Sequence, residues 1–516
     1  MCKAVKVSKS WRLVVALSLV AAAAIAGQRS GAGASVKSKR EKPAAGAAPK
    51  MLKVDLNKAV KVDLKVTEDL KPSAFKTADG RTGWAVRIPG GRPIATPAYA
   101  GGTLFVGGGY GSHEFYAFDA KTGALRWKTH TGDDGPSAAV VEDGLVAFNT
   151  ESCTLVVVEA ATGKLVWEEW LGDPLMSQPA ISKGRLYMVF PGRGGAGAGR
   201  GRAKGAGRTK QTIMPTEQGS HTVLCADLRT GRHIWEQAVA GDAISAPVIA
   251  DGKVFITTLE GTSYSLDAAT GRVVWKKQNA GTSAPVVAGG RVIVTEKEER
   301  GDKAYEGLKV LGSAGGEDKG APLIARDEAA YLGADKGGGV AIKSEAQQSL
   351  DSSVGFGTAP ESAQLAKANR HLGVKTVVGG WAYQGSRAAV SKGRVMNAQG
   401  RYLNSVNADD GRMAWRAEVS GGGVSEGEQV FSPPALGERF MYLSGAAGHL
   451  LSVNQQDGGV GFMYLFGQPM VFQPALAEGN VYVGTSNGLL ICLKTGGTDA
   501  DGWYAWGGNA EHNKSK

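Results

Sequence analysis

Three side chains that could bind a metal ion, His113, Cys153 and His221, each lie nine residues before a threonine in a repeated pattern. Imidazole nitrogen and thiolate sulfur are preferred zinc ligands, with bonds of about 2.0–2.3 Å. If the repeats close into a ring, however, equivalent side chains at a radius of roughly 20 Å would be roughly 15 Å apart, because each strand steps outward by about 4.8 Å. The spacing therefore argues against one shared metal site.

Two glycine motifs match patterns found in nucleotide-binding or catalytic sites. The segment GGGYG from Gly107 opens no predicted helix, so it lacks the context of a phosphate-binding loop. The G-x-S-x-G match from Gly484 to Gly488 lacks a strand-to-helix turn with histidine and acidic partners. We therefore predict no catalytic, metal-binding or cofactor-binding residue.

Cysteine usage indicates a fold that does not depend on disulfides. After Cys2, the chain has only Cys153, Cys225 and Cys492, an odd number with wide spacing. Cys225 and Cys492 occupy one repeat position that is filled by other small side chains in the remaining repeats. We predict that these thiols are buried and structural.

The positive charge of the chain is concentrated in three segments. Of the net charge of +11, residues 1–26 contribute +4, residues 27–50 contribute +5 and Gly192–Lys210 contribute +6, which leaves −4 for the rest. A basic patch on the folded body is not implied, and we predict no nucleic-acid partner. The third segment is a possible partner-binding loop through its six basic residues: Arg193, Arg200, Arg202, Lys204, Arg208 and Lys210.

The N-terminus has the features of an export signal. A basic segment, MCKAVKVSKSWR, precedes the apolar run Leu13–Ala26, and a small-residue cleavage site follows near Ala26 or Gly27. No cysteine follows the run that could carry a lipid anchor. We predict export to the periplasm or the extracellular space, with no transmembrane anchor after cleavage; a retained membrane anchor is the alternative.

One repeated phrase supplies the elements that position these side chains. Its copies end in tryptophan: FDAKTGALRW, VEAATGKLVW, ADLRTGRHIW, LDAATGRVVW and the looser VNADDGRMAW. A proline-led strand and a glycine turn precede them, as in TPAYAGGTLFVGG and APVIADGKVFITT. The spacing is 43 residues from Trp84 to Trp127 and 40 from Trp127 to Trp167 and from Trp235 to Trp275. A period near 40 with four short strands is typical of a β-propeller.

The phrase itself predicts a hairpin followed by a wedge. The glycine supplies a left-handed residue, and the acidic residue three before the threonine can accept backbone N–H groups. The tryptophan is a large apolar plate that fills the gap between adjacent blades, with its indole N–H free to reach a carbonyl. We predict this structural docking role for Trp84, Trp127, Trp167, Trp235, Trp275 and Trp415.

The predicted fold is all-β, an eight-bladed β-propeller of four-stranded antiparallel blades with tryptophan-docking repeats. The predicted divisions are a signal peptide (1–27), a low-complexity linker plus one possible strand (28–75), the propeller (76–506, with insertions at about 192–218 and 296–380) and a C-terminal tail (507–516). The outer strand that closes the ring contains either Trp84 or the pair Trp503 and Trp506. A strand set from Ala321 either completes the fifth blade or forms a further unit.

The pattern A-x-D-x-x-T-G-x-x-x-W resembles the tryptophan-docking repeat of quinoprotein-type (PQQ-like) propellers, over residues 84–506 apart from the insertions. The resemblance implies an eight-bladed ring. Its enzymatic members hold pyrroloquinoline quinone under a ring formed by adjacent disulfide-bonded cysteines, with calcium bound by Glu, Asn and Asp. This chain has no adjacent cysteines and no C-x-x-C-H haem motif. No cofactor is therefore expected, and the quinone with calcium is the alternative.

The nearest non-enzymatic analogue is the BamB-type branch, from which this chain differs by lacking an anchor cysteine and by carrying extra insertions. We predict an exported, non-catalytic ring, monomeric by itself, that binds another envelope protein or complex as an interaction or assembly scaffold. The alternatives are a quinoprotein oxidoreductase with a degenerate site and a surface module that binds polyanions or carbohydrate.

Overall fold

The computed structural model consists of short strands with one short 3-10 helix among the residues it describes. The described residues are 48–501 except 110, 134, 152, 172–176, 192–220, 242, 244–245, 259–260, 279–280, 282, 301–302, 320–323, 329–386 and 424–429. The first elements are β1 (Lys50–Asp55), the 3-10 helix (Leu56–Lys58), β2 (Val60–Lys61), β3 (Ser73–Lys76) and β4 (Thr82–Arg87).

Eight sheets, here called blades A to H in chain order, follow one another around the ring. Blade A comprises β5 (Ala98–Ala100), β6 (Thr103–Gly107), β7 (Glu114–Asp119) and β8 (Leu125–His130). Blade B comprises β9 (Val140–Glu142), β10 (Leu145–Asn149), β11 (Thr154–Glu159) and β12 (Leu165–Trp170). Blade C comprises β13 (Ala180–Ser182), β14 (Arg185–Pro191), β15 (His221–Asp227) and β16 (His233–Val239). Blades D and E comprise β17 (Val248–Ala250), β18 (Lys253–Thr257), β19 (Thr262–Asp267) and β20 (Val273–Gln278); and β21 (Val286–Ala288), β22 (Arg291–Arg300), β23 (Lys303–Gly312) and β24 (Ile324–Glu328).

The last three blades each gain a strand from the N-terminal segment. Blades F and G comprise β25 (Ala388–Ser391), β26 (Arg394–Gln399), β27 (Tyr402–Asn407) and β28 (Met413–Ser420); and β29 (Ala435–Leu436), β30 (Phe440–Ser444), β31 (His449–Asn454) and β32 (Val460–Leu465). Blade H comprises β33 (Ala475–Ala477), β34 (Asn480–Gly484), β35 (Leu489–Lys494) and β4. The all-β, eight-bladed prediction is confirmed.

The N-terminal strap, defined here as residues 48–76, runs along the outer edges of blades F, G and H. Strands β1 and β2 pair in parallel with β28 and β32, and β3 pairs antiparallel with β4. Where the sequence predicts one possible strand before the propeller, the structure therefore has three. Strand β4 pairs with β35, with Trp84 opposite Cys492, so the ring closes through the Trp84 strand. Trp503 and Trp506 lie outside the described residues.

Local sequence explains why the strands turn back on themselves so regularly. In seven blades, two residues with φ of 49–56° and 69–74° join the first and second strands, and the second is always glycine. Both residues of a type I′ hairpin have positive φ, which glycine adopts without steric cost. The second strands are then buried on both faces between blades, as in Thr103–Gly107. This burial explains their near-continuous apolar sequence.

The tryptophans join each blade to the next through one repeated contact. Six indole nitrogens donate to a carbonyl in the third-to-fourth-strand turn of the following blade: Trp84 to Ala120 (3.2 Å), Trp127 to Ala160 (3.0 Å), Trp167 to Leu228 (2.9 Å), Trp235 to Ala268 (3.1 Å), Trp275 to Ser313 (3.1 Å) and Trp415 to Gln455 (2.9 Å). Each indole also packs on the turn glycine, so that a Cβ built at Gly271 would lie 2.6 Å from the Trp235 ring. The wedge and the hairpin are one unit.

Two junctions are built without tryptophan. Between blades E and F, Arg291 donates to the Ala408 carbonyl and pairs with Asp409 at 2.8 Å. Between blades G and H, Phe462 lies opposite Ser452, as Trp415 lies opposite Ser405 in blade F.

Asp499 adds a polar link across the junction between blades G and H. It accepts from the Arg439 backbone N–H (2.5 Å) and from the Tyr442 hydroxyl (2.8 Å). Polar contacts thus replace the indole N–H bond at both junctions, and between blades G and H the Phe462 ring takes the position of the indole ring.

The strands of the fifth blade extend into the segment that the sequence predicts as the second insertion. Residues 296–300 and 303–312, which the sequence places in the second insertion, belong to β22 and β23. Strand β24 (Ile324–Glu328), from the set that begins at Ala321, is the fourth strand of blade E. Residues 313–319 of that insertion are also described, whereas 301–302, 320–323 and 329–380, and the whole of 192–218, lie outside the described residues.

Candidate functional site

The order of the strands divides the connections between two faces of the ring. In a four-stranded meander, the turns between strands one and two and between strands three and four lie at one end, which we call the turn face. The connections between strands two and three, and from strand four to the next blade, lie at the other end, the loop face. Every blade follows this order.

The turn face is nearly uniform, whereas the loop face is not. The connection from β14 to β15 spans 192–220, and the connection from β24 to β25 spans 329–387, so both begin and end on the loop face. Between them in the ring, β22 and β23 form a hairpin of ten residues per strand, whereas the corresponding strands of other blades have five to seven. The elaborations of the fold therefore open on one face, in the sector from blade C to blade F.

A buried ion pair fixes the long hairpin against blade F. The Arg387 guanidinium donates to both carboxylate oxygens of Glu306 at 2.6 Å, and the two side chains are 9% and 14% exposed. The Gln399 side-chain amide donates to the Glu306 carbonyl at 2.5 Å. On the same hairpin, Lys309 lies 2.7 Å from Asp318, and this hydrogen bond raises the pKa of the Lys309 ammonium. A pair with so little exposure requires a specific geometry, because separating the two side chains would leave an unpaired charge buried.

The six predicted tryptophans lie between the blades, five of them buried and Trp127 partly buried, with Nε1 bound to the neighbouring blade. The six basic residues of the predicted partner-binding loop lie outside the described residues, in the connection from β14 to β15. They therefore belong to a segment that begins and ends on the loop face.

The residues with metal-ligand chemistry lie in three different blades. His113 is exposed and its ring stacks on His130 at 5.5 Å, whereas Cys153 and His221 are buried. Within the described ranges, no group of three or more His, Cys, Asp or Glu side chains is placed to hold a metal ion.

The three cysteines of the propeller are free and buried. Burial raises the pKa of Cys225 and of Cys492 to about 12, and it also raises the pKa of Cys153. Thiols of this kind stay protonated and react slowly. Cys153 belongs to blade B, Cys225 to blade C and Cys492 to blade H. They therefore cannot form the adjacent cysteine pair that the quinoprotein resemblance implies. The described residues do not fit quinone and calcium held in that way.

One titratable cluster was not foreseen from the sequence. His233, at the start of β16, bridges Glu169 on β12 (2.8 Å) and Glu236 on its own strand (2.7 Å). Burial lowers the pKa of His233, but the hydrogen bonds and charges of the two carboxylates outweigh it and raise the pKa to about 9. The only sequence signal is the position of the two residues in their repeats: Glu169 comes two residues after Trp167, and His233 comes two residues before Trp235. The cluster is a charged clamp between blades B and C.

Among the described residues, no helix has the length and apolar character needed to cross a membrane.

Comparison with known proteins agrees with the propeller geometry. The model of the family described as outer membrane protein assembly factor BamB matches residues 72–221, 195–316 and 359–499. Outer membrane protein assembly factor BamB of Yersinia pestis is 25% identical over 201 residues, which are 36% of this chain and 44% of that protein. Tetrathionate hydrolase of Acidithiobacillus ferrooxidans is 25% identical over 267 residues, 43% of this chain and 53% of that protein. The chain thus spans about half the length of the curated relatives it matches.

Among solved structures, the computationally designed Ika8 protein aligns with a TM-score of 0.51 and 13% identity, over 81% of this chain and 98% of Ika8. This likeness concerns the fold alone. The family match covers most of the chain and includes strands of all eight blades. The chain belongs to the family described as outer membrane protein assembly factor BamB.

Proposed function

We propose that this protein is an exported, non-catalytic scaffold that binds another protein or complex of the cell envelope through the loop face of blades C to F. The observation that carries the proposal is topological: both long connections and the extended β22–β23 hairpin open on that face. Function in propellers is placed in loops on a rigid ring. Family membership supports an envelope role, since the family is described as outer membrane protein assembly factor BamB.

The six basic residues between Arg193 and Lys210 are proposed as one contact of this face. Arginine suits this role because its planar guanidinium makes paired hydrogen bonds to carboxylates, and four of the six residues are arginine. The carboxylates would be supplied by the partner. The buried Glu306–Arg387 pair would hold the neighbouring hairpin in position while the partner docks.

The experiment is affinity capture of the tagged, exported chain from a mildly cross-linked envelope fraction. We expect one envelope protein in stoichiometric amount with the native chain. A variant with glutamine at all six basic positions should capture it at least about tenfold less, because rim charges act mainly on association. The thermal midpoint of that variant should not change.

The matched control replaces six exposed basic residues of the turn face and strand ends with glutamine: Lys121, Arg126, Lys164, Arg229, Arg232 and Arg272. This control removes the same charge and should keep the partner. Equal loss in both variants, or a chain that remains alone under cross-linking, would count against the scaffold. Loss of retention on an acidic resin without loss of any protein partner would favour the polyanion-binding module instead.

We further propose that the scaffold works without pyrroloquinoline quinone. The support is that Cys153, Cys225 and Cys492 are buried singly in separate blades. Titration with the quinone and Ca²⁺ should leave both the thermal midpoint and the cofactor absorbance unchanged. Saturable one-to-one binding with a raised midpoint would restore the oxidoreductase alternative.

A further inference from the structure

The N-terminal strap presents an unusual row of charges on the outer rim of the ring. Its apolar side chains are buried against the blades: Val54, Leu56, Val62, Val66 and Phe75. Its lysines are all exposed: Lys50, Lys53, Lys58, Lys61, Lys65, Lys71 and Lys76. The strap contains four acidic residues, Asp55, Asp63, Glu68 and Asp69, so its net charge is +3. This strap is an amphipathic ribbon with its cationic side outward.

Local pairing occupies part of this charge. Lys61 lies 3.5 Å from Asp63 and Lys71 lies 2.9 Å from Glu68, with both pairs largely exposed. Exposed pairs of this kind exchange readily with solvent and contribute little stability. The row passes blades F, G and H in turn, because β1, β2 and β3 pair with the outer strand of each. The charge is therefore spread along a line and is not gathered into a pocket.

Protection of a sheet edge explains only some of these residues. Lysine on an edge strand discourages pairing with other chains. Lys50, Lys53, Lys61 and Lys76 lie in strands and could have that role. Lys58 lies in the 3-10 helix, and Lys65 and Lys71 lie in the connection between β2 and β3, outside the strands.

We propose that the strap is a docking surface for an anionic lipid bilayer, independent of the partner site on the loop face. Two observations favour a bilayer over an acidic protein. First, all the basic residues of the strap are lysine and none is arginine. Protein interfaces are enriched in arginine and depleted in lysine, whereas lysine, a mobile point charge, is attracted to fluid anionic headgroups as well as arginine is.

Second, an apolar side chain lies within the row. Met51, between Lys50 and Lys53, is 64% exposed, the highest value among the exposed large hydrophobic residues described. A long unbranched side chain beside cationic residues can enter the headgroup region while the ammonium groups bind phosphate. In this arrangement the rim of the ring lies on the membrane, and both flat faces stay open.

The experiment is vesicle co-sedimentation of the exported chain, recovered from the periplasmic or culture fraction of an expression host. The vesicles contain phosphatidylcholine alone or with about one third phosphatidylglycerol. We expect binding to the anionic vesicles above the neutral baseline, and its loss when NaCl rises from about 0.05 M to about 0.5 M, because salt screens exposed charges.

A variant with Lys53, Lys58, Lys65 and Lys76 changed to glutamine should bind anionic vesicles at least about tenfold more weakly, with an unchanged thermal midpoint. The matched control changes four exposed lysines of blades A to C to glutamine, Lys121, Lys128, Lys164 and Lys183, and should bind as the native chain does.

Equal binding to both kinds of vesicle, no binding to either, or equal loss in the two variants would overturn the proposal. Both sets of substitutions leave the two long connections and the β22–β23 hairpin of the loop face unchanged, so capture of the envelope partner should survive in both variants. The membrane proposal and the scaffold proposal can therefore fail separately.

Discussion

The turn face and the loop face of this ring are made by the same strands and show opposite behaviour. On the turn face, two-residue hairpins and tryptophan-bound turns repeat with φ values that differ by only a few degrees between blades. On the loop face, the connections vary from two residues in the β22–β23 hairpin to the segment 329–387. The six tryptophan contacts between blades lie at the turn-face end of the strands, and the connections at the other end vary. The tryptophan contacts that join the blades and the face proposed for recognition thus lie at opposite ends of the strands.

The two junctions without tryptophan lie next to segments that are added to the basic four-stranded blades. The junction between blades E and F lies beside the segment 329–387 and contains the Arg387–Glu306 pair. The junction between blades G and H lies under the strap, where the Tyr464 hydroxyl bonds to Asp79 and Arg81 at 2.7 Å. Both use side chains that require specific partners. These paired polar groups indicate that contacts beside the segment 329–387 and beneath the strap replace part of the contact that the indole makes at the other junctions.

The largest expected effect comes from removing a docking tryptophan. Trp167→Ala should lower the free energy of unfolding by about 3–5 kcal/mol, because it empties the space between blades B and C and leaves the Leu228 carbonyl without its donor. Urea denaturation measures this change. The protein that remains folded should capture the envelope partner as the native chain does; loss of capture at equal folded fraction would break the separation of the two faces.

A smaller effect is expected from the glycine beneath the indole. Gly271→Ala should destabilise by roughly 2–4 kcal/mol, because its φ is +75° and the new Cβ would lie 2.6 Å from Trp235. The matched control is Gly496→Ala, with φ of +82° but no described atom within 4 Å, which should cost only about 1–2 kcal/mol. Equal losses in thermal or urea unfolding would show that the indole contact carries no specific energy.

The clamp at His233 predicts that the stabilisation of the junction between blades B and C depends on pH. Its folded pKa of about 9 is above the ordinary value of 6.5, so its contribution is fully present below pH 6.5 and is lost as the pH rises through 9. The contribution is on the order of 3 kcal/mol at most.

Unfolding of the native chain and of His233→Gln, followed between pH 6 and pH 10, measures this dependence. The two stability curves should converge above pH 9. A constant gap across that range would show that His233 contributes through packing and not through its charge.

The smallest expected effect is a gain on the turn face. Lys183 has φ of +55° in a type I′ turn, a conformation that asparagine adopts more easily than lysine. Lys183→Asn should raise the free energy of unfolding by about 0.5 kcal/mol. Calorimetry can resolve the shift, and Lys164→Asn on the same face provides the control.

Sequence reasoning reached the fold because the repeated phrase encodes local turns and a packing residue together. The TG turn and the tryptophan predict each other's position, and Trp127 and Trp275 lie where that pairing requires. The strap was harder to predict, since β1 and β2 follow no turn and gain their partners only from blades near the other end of the chain. Pairing at such sequence separation leaves no periodic signal beyond a few alternating valines.

The site was less predictable than the fold for a related reason. Arg387 and Glu306 are distant in sequence, and nothing near either residue marks it as buried. His233 was visible only as a scattered histidine, because its partner Glu169 belongs to another blade. Contacts between blades depend on register and ring geometry, which composition and spacing do not contain.

Photo-cross-linking from the two faces of the chain, in intact envelopes of cells that express it, tests most directly whether a partner binds the loop face. A photoreactive residue is placed at Ala240 on the loop face between blades C and D, and at Ala269 on the turn face of blade D, both exposed. A partner bound at the loop face should give a discrete cross-linked product with an envelope protein from Ala240 and none from Ala269. Cross-links from Ala269 alone, or equally from both positions, would contradict it.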